Sequence, residues 1–286
     1  TTLPEGLETG NMSMHWAHRI SWIIVVVVIV LPANVFAQVP ENVRTVIAQL
    51  SSQEQQKVRQ GYLALAALDT SAAEACLPTA NRVLARGLPV PLAITAIRAL
   101  GDVGHVTSSR SIRAYLMHRH VEVRREAVNA LGKTGGPDAR AGLRRALSDA
   151  DASVRGFAAS GLGQVGAKEH VGALFSALDQ GVQEAAASIG MLCSPAECEG
   201  LVARADRMGL EVVSPGLREI LLRPTTEVTE NIQLSIIERI SQGNPRKAQP
   251  LLKDVQSRRG RTGSRRVNQA IDLAVRATRP APEENR

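Results

Sequence analysis

The chain has 286 residues and 34 Lys and Arg against 27 Asp and Glu, a net charge of +7, with 44% apolar residues but only two Trp, two Tyr and three Phe. An aliphatic, alanine-rich chain of this length suits thin repeated layers better than a single globular core.

Residues 1–37 read as an upstream extension followed by a leader. From Met12 or Met14 the chain carries His15, His18 and Arg19, then the apolar run from Ile20 to Leu31, then Val35-Phe36-Ala37 before Gln38. Those are the three parts of a secretory signal peptide over 12–37, with cleavage expected after Ala37. The product would be exported, periplasmic or secreted. An uncleaved membrane anchor is the alternative, although the 18 residues from Ile20 to Ala37 include Pro32 and Asn34 and fall short of the roughly 20 that span a bilayer. Only in that case is a membrane a partner. Without its first 37 residues the chain keeps 33 basic and 25 acidic residues, a net +8.

Residues 38–88 fit degenerate helix pairs that cap the N-terminal side, with Ser71 and Glu74 as a capping box. From 89 to 180 the pattern becomes regular. Gly101, Gly132 and Gly163 stand 31 residues apart in the phrases Ala-Leu-Gly-Asp-Val-Gly, Ala-Leu-Gly-Lys-Thr-Gly and Gly-Leu-Gly-Gln-Val-Gly. Aligned on them, Leu92 matches Val123 and Val154, Ala96 matches Ala127 and Ala158, and Leu100 matches Leu131 and Leu162. These offsets mark one stripe of an α-helix. A second helix follows each glycine pair, with Ile112 and Leu116, then Leu143 and Leu147, then Leu174 and Leu178. Neither helix of a pair can bury its stripe except against its partner and the next repeat, so stability must come from stacking. The glycines suit helix C-termini, where a left-handed residue is needed. Alanine at 96, 127 and 158 would allow close helix approach.

The stretch Leu147-Ser-Asp-Ala-Asp-Ala-Ser-Val154-Arg155, followed by Phe-Ala-Ala-Ser-Gly-Leu162-Gly163, resembles the HEAT repeat, in the short variety also seen in phycobilin lyases. The copy Val121-Glu-Val123-Arg124-Arg-Glu-Ala127-Val-Asn-Ala-Leu131-Gly132 agrees. The resemblance implies an all-α fold, an α-solenoid of stacked antiparallel helix pairs of HEAT/armadillo type with about five to seven pairs. It also implies that Arg124, Arg155 and Asp149 tie neighbouring repeats together. Exposed positions on the same helices, Glu126, Asn129 and Ser160, differ between copies and are candidates for a ligand face.

Residues 181–278 continue as degenerate helical repeats. Ser194-Pro-Ala-Glu197 is a second capping box with proline at the first helical position. It places Cys193 just before the cap and Cys198 on the first turn, a geometry suited to a disulfide in an oxidising compartment and expected to contribute about 2 kcal/mol. Two buried thiols are the alternative, and Cys76 reads as a buried helix residue. Later runs, Val228 to Ile240, Pro245 to Val255 and Arg265 to Thr278, keep helical spacing.

Arg258, Arg259, Arg261, Arg265 and Arg266 then place five arginines within nine residues, and from Asn244 onward 11 basic residues face four acidic ones. Such a basic patch would attract an anionic lipid, a cell-wall polymer or an acidic protein. Nucleic acid fits poorly, because the C-terminal region carries no aromatic residue for stacking. Residues 279–286 lack large apolar side chains and read as a disordered tail.

No catalytic residue, cofactor site or metal site emerges. Gly161-Leu-Gly163-Gln-Val-Gly166 spells the dinucleotide pattern but closes a helix instead of leaving a strand. His118 and His120, two residues apart, would diverge on a continuous helix and read as a solvated turn. No His-Glu pair of the kind used by iron-dependent hydroxylases built from these repeats occurs. The leading expectation is a non-catalytic scaffold that binds a protein partner. A polyanion binder acting through the arginine patch comes second, and an accessory bilin lyase third.

Overall fold

The computed structural model describes residues 39–243, 245–259 and 263–277. The leader expected at 12–37, its cleavage point and the tail 279–286 lie outside the described residues. The chain divides into two units, Thr1–Glu41 and Asn42–Arg286, and the helical stack belongs to the second.

Among the described residues there are fifteen α-helices and no strand. They are α1 Glu41–Leu50, α2 Gln55–Ala66, α3 Thr70–Ala85, α4 Val90–Val103, α5 Ser109–Arg113, α6 Val121–Thr134, α7 Gly136–Ala146 and α8 Ala152–Gln164. Then come α9 Val171–Asp179, α10 Ala185–Leu192, α11 Pro195–Met208, α12 Leu210–Leu222, α13 Glu230–Gly243, α14 Pro245–Arg259 and α15 Arg265–Ala277. The even-numbered helices from α2 to α14 pack one on the next in a continuous row, and the odd-numbered helices from α3 to α15 lie beside them as a second layer. α4, α6 and α8 begin at Val90, Val121 and Ala152, which keeps the 31-residue register of the sequence. Every apolar column of that register is buried, from Leu92, Val123 and Val154 to Leu116, Leu147 and Leu178.

Two kinds of glycine punctuate the repeats, and they differ from the expectation. Gly101, Gly132 and Gly163 lie inside α4, α6 and α8, where a methyl would meet the next helix: Ala130 Cβ at 2.8 Å from Gly101, Gln164 Oε1 at 3.0 Å from Gly132 and Ser188 Cβ at 3.0 Å from Gly163. Their work is close approach. The left-handed residues are the second glycines, Gly104, Gly135 and Gly166, with φ of 71°, 65° and 65°, which turn the chain out of each helix.

Capping follows local chemistry. At α3 the cap is Asp69, whose carboxylate accepts the Ala72 N–H at 3.0 Å while Ser71 donates to it at 2.8 Å. This displaces the Ser71 and Glu74 box read from sequence, because an aspartate one residue before the helix outcompetes a serine inside it. At α11 the box is as expected: the Ser194 amide and hydroxyl both donate to Glu197, at 2.8 and 2.7 Å, and Pro195 opens the helix.

Candidate interaction face

The solvent side of α4, α6 and α8 collects the three variable positions. Asn129 is exposed and Ser160 half-buried. Glu126 is only 13% exposed, because its carboxylate accepts two hydrogen bonds from Arg98 of the preceding repeat, at 3.3 Å from Nε and 2.8 Å from Nη2. Glu126 therefore serves the stack as well as the surface. Between the three helices lies a groove of about 340 Å³ whose walls include Ile94, Arg98, Arg125, Asn129 and Phe157. Phe157 stands 48% exposed and is the one large aromatic presented to solvent among the described residues, since Tyr62 and Tyr115 are buried and Phe175 lies under the Arg204 guanidinium at 4.3 Å. Periodicity does not select Phe157, although a signal exists: the preceding copies hold Thr95 and Glu126 in its column.

Arg124 and Asp149 form the tie between repeats. The guanidinium meets the carboxylate with two bonds, Nε to Oδ2 at 2.8 Å and Nη2 to Oδ1 at 2.9 Å, and its Nη1 donates to the His118 carbonyl at 3.0 Å. Arg155, one repeat on, uses Nη1 on the carbonyls of Asp149 and Ala150, at 2.8 and 3.0 Å. The next register position after Asp149 is Gln180, so Arg155 closes its own turn without a carboxylate opposite. Other pairs join repeats along the surface, including Lys133 with Asp102 at 2.8 Å and Arg239 with Asp206 at 2.5 Å. Being exposed, each contributes little.

Partial burial pushes the Asp149 carboxyl up, but the Arg124 hydrogen bonds, the Asp151 N–H and the guanidinium charge together hold it below its ordinary value. Asp179 is lowered chiefly by its hydrogen bonds from Arg204. A carboxylate depressed in the folded state favours folding at every pH above the unfolded value of about 3.9, and that contribution disappears as pH falls through the lower folded value. The urea midpoint is therefore expected to drop as pH is taken from about 5 to about 3. Asp149→Asn should start lower and show a shallower drop; an unchanged slope would mean that the tie does not govern acid sensitivity.

The arginine patch separates into individuals. Arg259 is 7% exposed: its Nη1 donates to the Leu221 carbonyl and, at 3.3 Å, to Gln233 Oε1, and its Nε donates to Asn268 Oδ1 at 3.1 Å. It is a buried connector between helices, and its inclusion in a binding patch is corrected. Burial presses its guanidinium below the ordinary arginine value. Arg258 pairs with Asp254 at 3.0 Å and Arg266 with Glu230 at 2.9 Å. Arg265 is exposed, and Arg261 lies outside the described residues.

Cys193 and Cys198 have Cα atoms 5.3 Å apart, inside the range a disulfide spans, and Cys76 is buried on α3. His118 and His120 flank the turn into α6, and because that turn is not helical their rings stack, with centroids 5.4 Å apart, instead of diverging. Among the described residues no group of three His, Cys, Asp or Glu is placed to hold a metal ion, and no helix is long and apolar enough to cross a membrane.

The HEAT-repeat family model matches residues 83–151, and no curated protein matches the chain. Among structures, a homology model of the full-length AP-3 complex in an intermediate open conformation shares 16% identity and a TM-score of 0.52 over 82% of this chain and 49% of that one. The complex of CpcE and CpcF of phycocyanin lyase from Nostoc sp. PCC7120 shares 17% identity, with a TM-score of 0.44 over 82% and 94%. A designed armadillo repeat protein in complex with the peptide (KR)4 shares 17%, with a TM-score of 0.41 over 84% and 100%. Stacked helix pairs in a 31-residue register make this chain an α-solenoid, with the fold of HEAT and armadillo repeat proteins and a HEAT-repeat match over residues 83–151.

Proposed function

We propose that the chain is an exported, non-catalytic scaffold that binds a protein partner on the solvent face of α4, α6 and α8. The observation that carries this reading is Phe157, an exposed aromatic where the neighbouring repeats carry Thr95 and Glu126. Exposed aromatics bordered by arginine and amide side chains anchor protein interfaces because they bury much area while losing few rotamers. The repeat fold favours a docking role over catalysis, and proteins of this architecture present long surfaces more readily than closed pockets. Export rests on the leader-like segment 12–37 and on a cysteine pair suited to an oxidising compartment.

The test is site-specific photo-crosslinking in the native cell. A crosslinker at Asn129 should capture a discrete partner, and Phe157→Asp should abolish the capture, while the same probe at the exposed Leu273 of α15 should give none. Equal capture at both positions, or capture indifferent to Phe157, would remove the face from consideration. The purified mature chain should begin at Gln38 with Cys193 and Cys198 resistant to thiol alkylation; an intact Met12 or Met14 would replace export by anchoring.

A further inference from the structure

We infer that the turn edge of the stack, where α5 passes to α6 and α7 to α8, binds an acidic, leucine-bearing peptide segment of a partner protein. Two clefts meet there at Ser148. One, of about 510 Å³, is bordered by Met117, His118, Arg119, Arg145 and Asp149. The other, of about 210 Å³, is bordered by Arg144, Ser148, Ser176 and Gln180. This edge is distinct from the groove beside Phe157, and it rests on the scaffold reading only in taking a protein segment as ligand.

The charge balance of the edge identifies the ligand. Its carboxylates are occupied by the protein itself: Asp149 by Arg124 at 2.8 and 2.9 Å, Asp151 by Ser153 and by the Val154 N–H at 3.1 Å, and Asp179 by Arg204 at 2.9 and 2.8 Å. Glu122, the exposed second residue of α6, borders the Phe157 groove. The arginines are not consumed in the same way. Arg119 uses Nε on His120 Nε2 at 3.2 Å, and its two terminal nitrogens make no hydrogen bond or ion pair among the described residues. The side chains of Arg144 and Arg145, both exposed, make no hydrogen bond or ion pair among the described residues. The guanidinium groups of Arg119, Arg144 and Arg145 outnumber Glu122 and Asp151, whose charges reach Arg124 at this edge, and the excess leaves a positive strip, which carboxylates complement with paired N–H donors.

The apolar part of the edge selects against a simple anion. Met117 is 66% exposed beside Leu116 and Ala146 in the same cleft, so a ligand that places an aliphatic side chain between its carboxylates gains burial as well as charge pairing. A recess between turns admits side chains but not a planar bilayer. The edge also offers no exposed aromatic for base stacking, since Tyr115 is buried.

The purified chain, titrated into fluorescein-labelled Glu-Leu-Glu-Asp-Leu-Glu-Asp-Leu and followed by anisotropy, should bind with an affinity that falls with added salt. The Arg119→Glu/Arg145→Glu double variant should lose about tenfold or more, and Arg119→Lys/Arg145→Lys should retain most of it, with helical circular dichroism unchanged in both. Phe157→Asp should leave this binding intact, so failure of the Phe157 face and failure of this edge read out separately. Equal binding of the Lys-for-acid peptide, or parent affinity in the double glutamate variant, would overturn the proposal. So would tighter binding of polyphosphate or of phosphatidylglycerol vesicles than of the peptide, lost in the same variant.

Discussion

Gly190→Ala should destabilise the stack by about 3 kcal/mol, the largest effect expected for adding one methyl to an interior glycine of this chain. α10 and α12 cross at Gly190 and Gly216 with backbone against backbone. A methyl on Gly190 would lie 2.7 Å from the Gly216 Cα and closer still to its carbonyl oxygen. A methyl on Gly216 would in turn overlap the Ala186 carbonyl and stand 2.5 Å from Leu201 Cδ2. No rotamer change relieves a clash with main chain, so the helices must separate, and separation strips contact from Ile189, Val213, Leu217 and Ile220, which are fully buried around them. Gly163→Ala is the informative contrast. There the methyl meets the end of Met191, which can swing away, and Ser188, whose Cβ stands at 3.0 Å and whose hydroxyl donates to the Ala159 carbonyl at 2.8 Å, and a cost of about 1 to 2 kcal/mol is expected. Gly172, on the exposed face of α9 with nothing within 4 Å of the added carbon, should gain up to about 1 kcal/mol as alanine, through helix propensity. Urea midpoints of the three variants should fall in the order Gly172→Ala, Gly163→Ala, Gly190→Ala. A Gly190→Ala protein as stable as the parent would mean that α10 and α12 do not cross at these residues.

That contrast also marks how far the chain is legible before its fold is known. The buried columns follow from periodicity, because a helix that must bury one stripe repeats its apolar residues at fixed offsets. Gly101, Gly132 and Gly163 are equally visible as a repeat, but a repeated glycine can serve left-handed backbone or close approach, and only the neighbouring helix decides between them. The Arg124 to Asp149 tie is readable because both residues lie beside the turn they close. The variable surface positions are only partly readable. Asn129 is exposed and Ser160 half-buried, whereas Glu126 is drawn into the stack by Arg98, 28 residues earlier, a pairing without register of its own. Phe157 can be found as the aromatic in an otherwise polar column. The histidine pair is readable as a turn, but the stacking of its rings does not follow from spacing.

Arg259 is where composition misleads most, and its replacement should cost about 3 kcal/mol. Five arginines in nine residues read as solvated surface, since charge clusters usually are. Helix α14 instead directs this one inward, across the C-terminal end of α12, where the last carbonyls have no intrahelical donor. Its Nη1 supplies one to Leu221 and reaches Gln233 Oε1. Gln233 is itself fully buried on α13 and donates Nε2 to Ile220 and Arg223 carbonyls at 3.2 and 2.8 Å. Nε of Arg259 holds Asn268 of α15. Arg223 extends the connection toward α10 by donating to the Cys193 carbonyl at 2.7 Å. Arg259→Met keeps much of the aliphatic stem but removes these donors from the buried Leu221 carbonyl and Gln233 Oε1, and a buried acceptor left unpaired costs about 1 to 3 kcal/mol. Because the connector serves the C-terminal helices, hydrogen exchange should accelerate first in α13 to α15 while α4 to α8 keep parental protection. Arg258→Met, which loses only an exposed pair with Asp254, should change stability by less than about 0.5 kcal/mol. If both substitutions proved equally mild, Arg259 would belong with its exposed neighbours on the surface, and the basic patch would regain its fifth member.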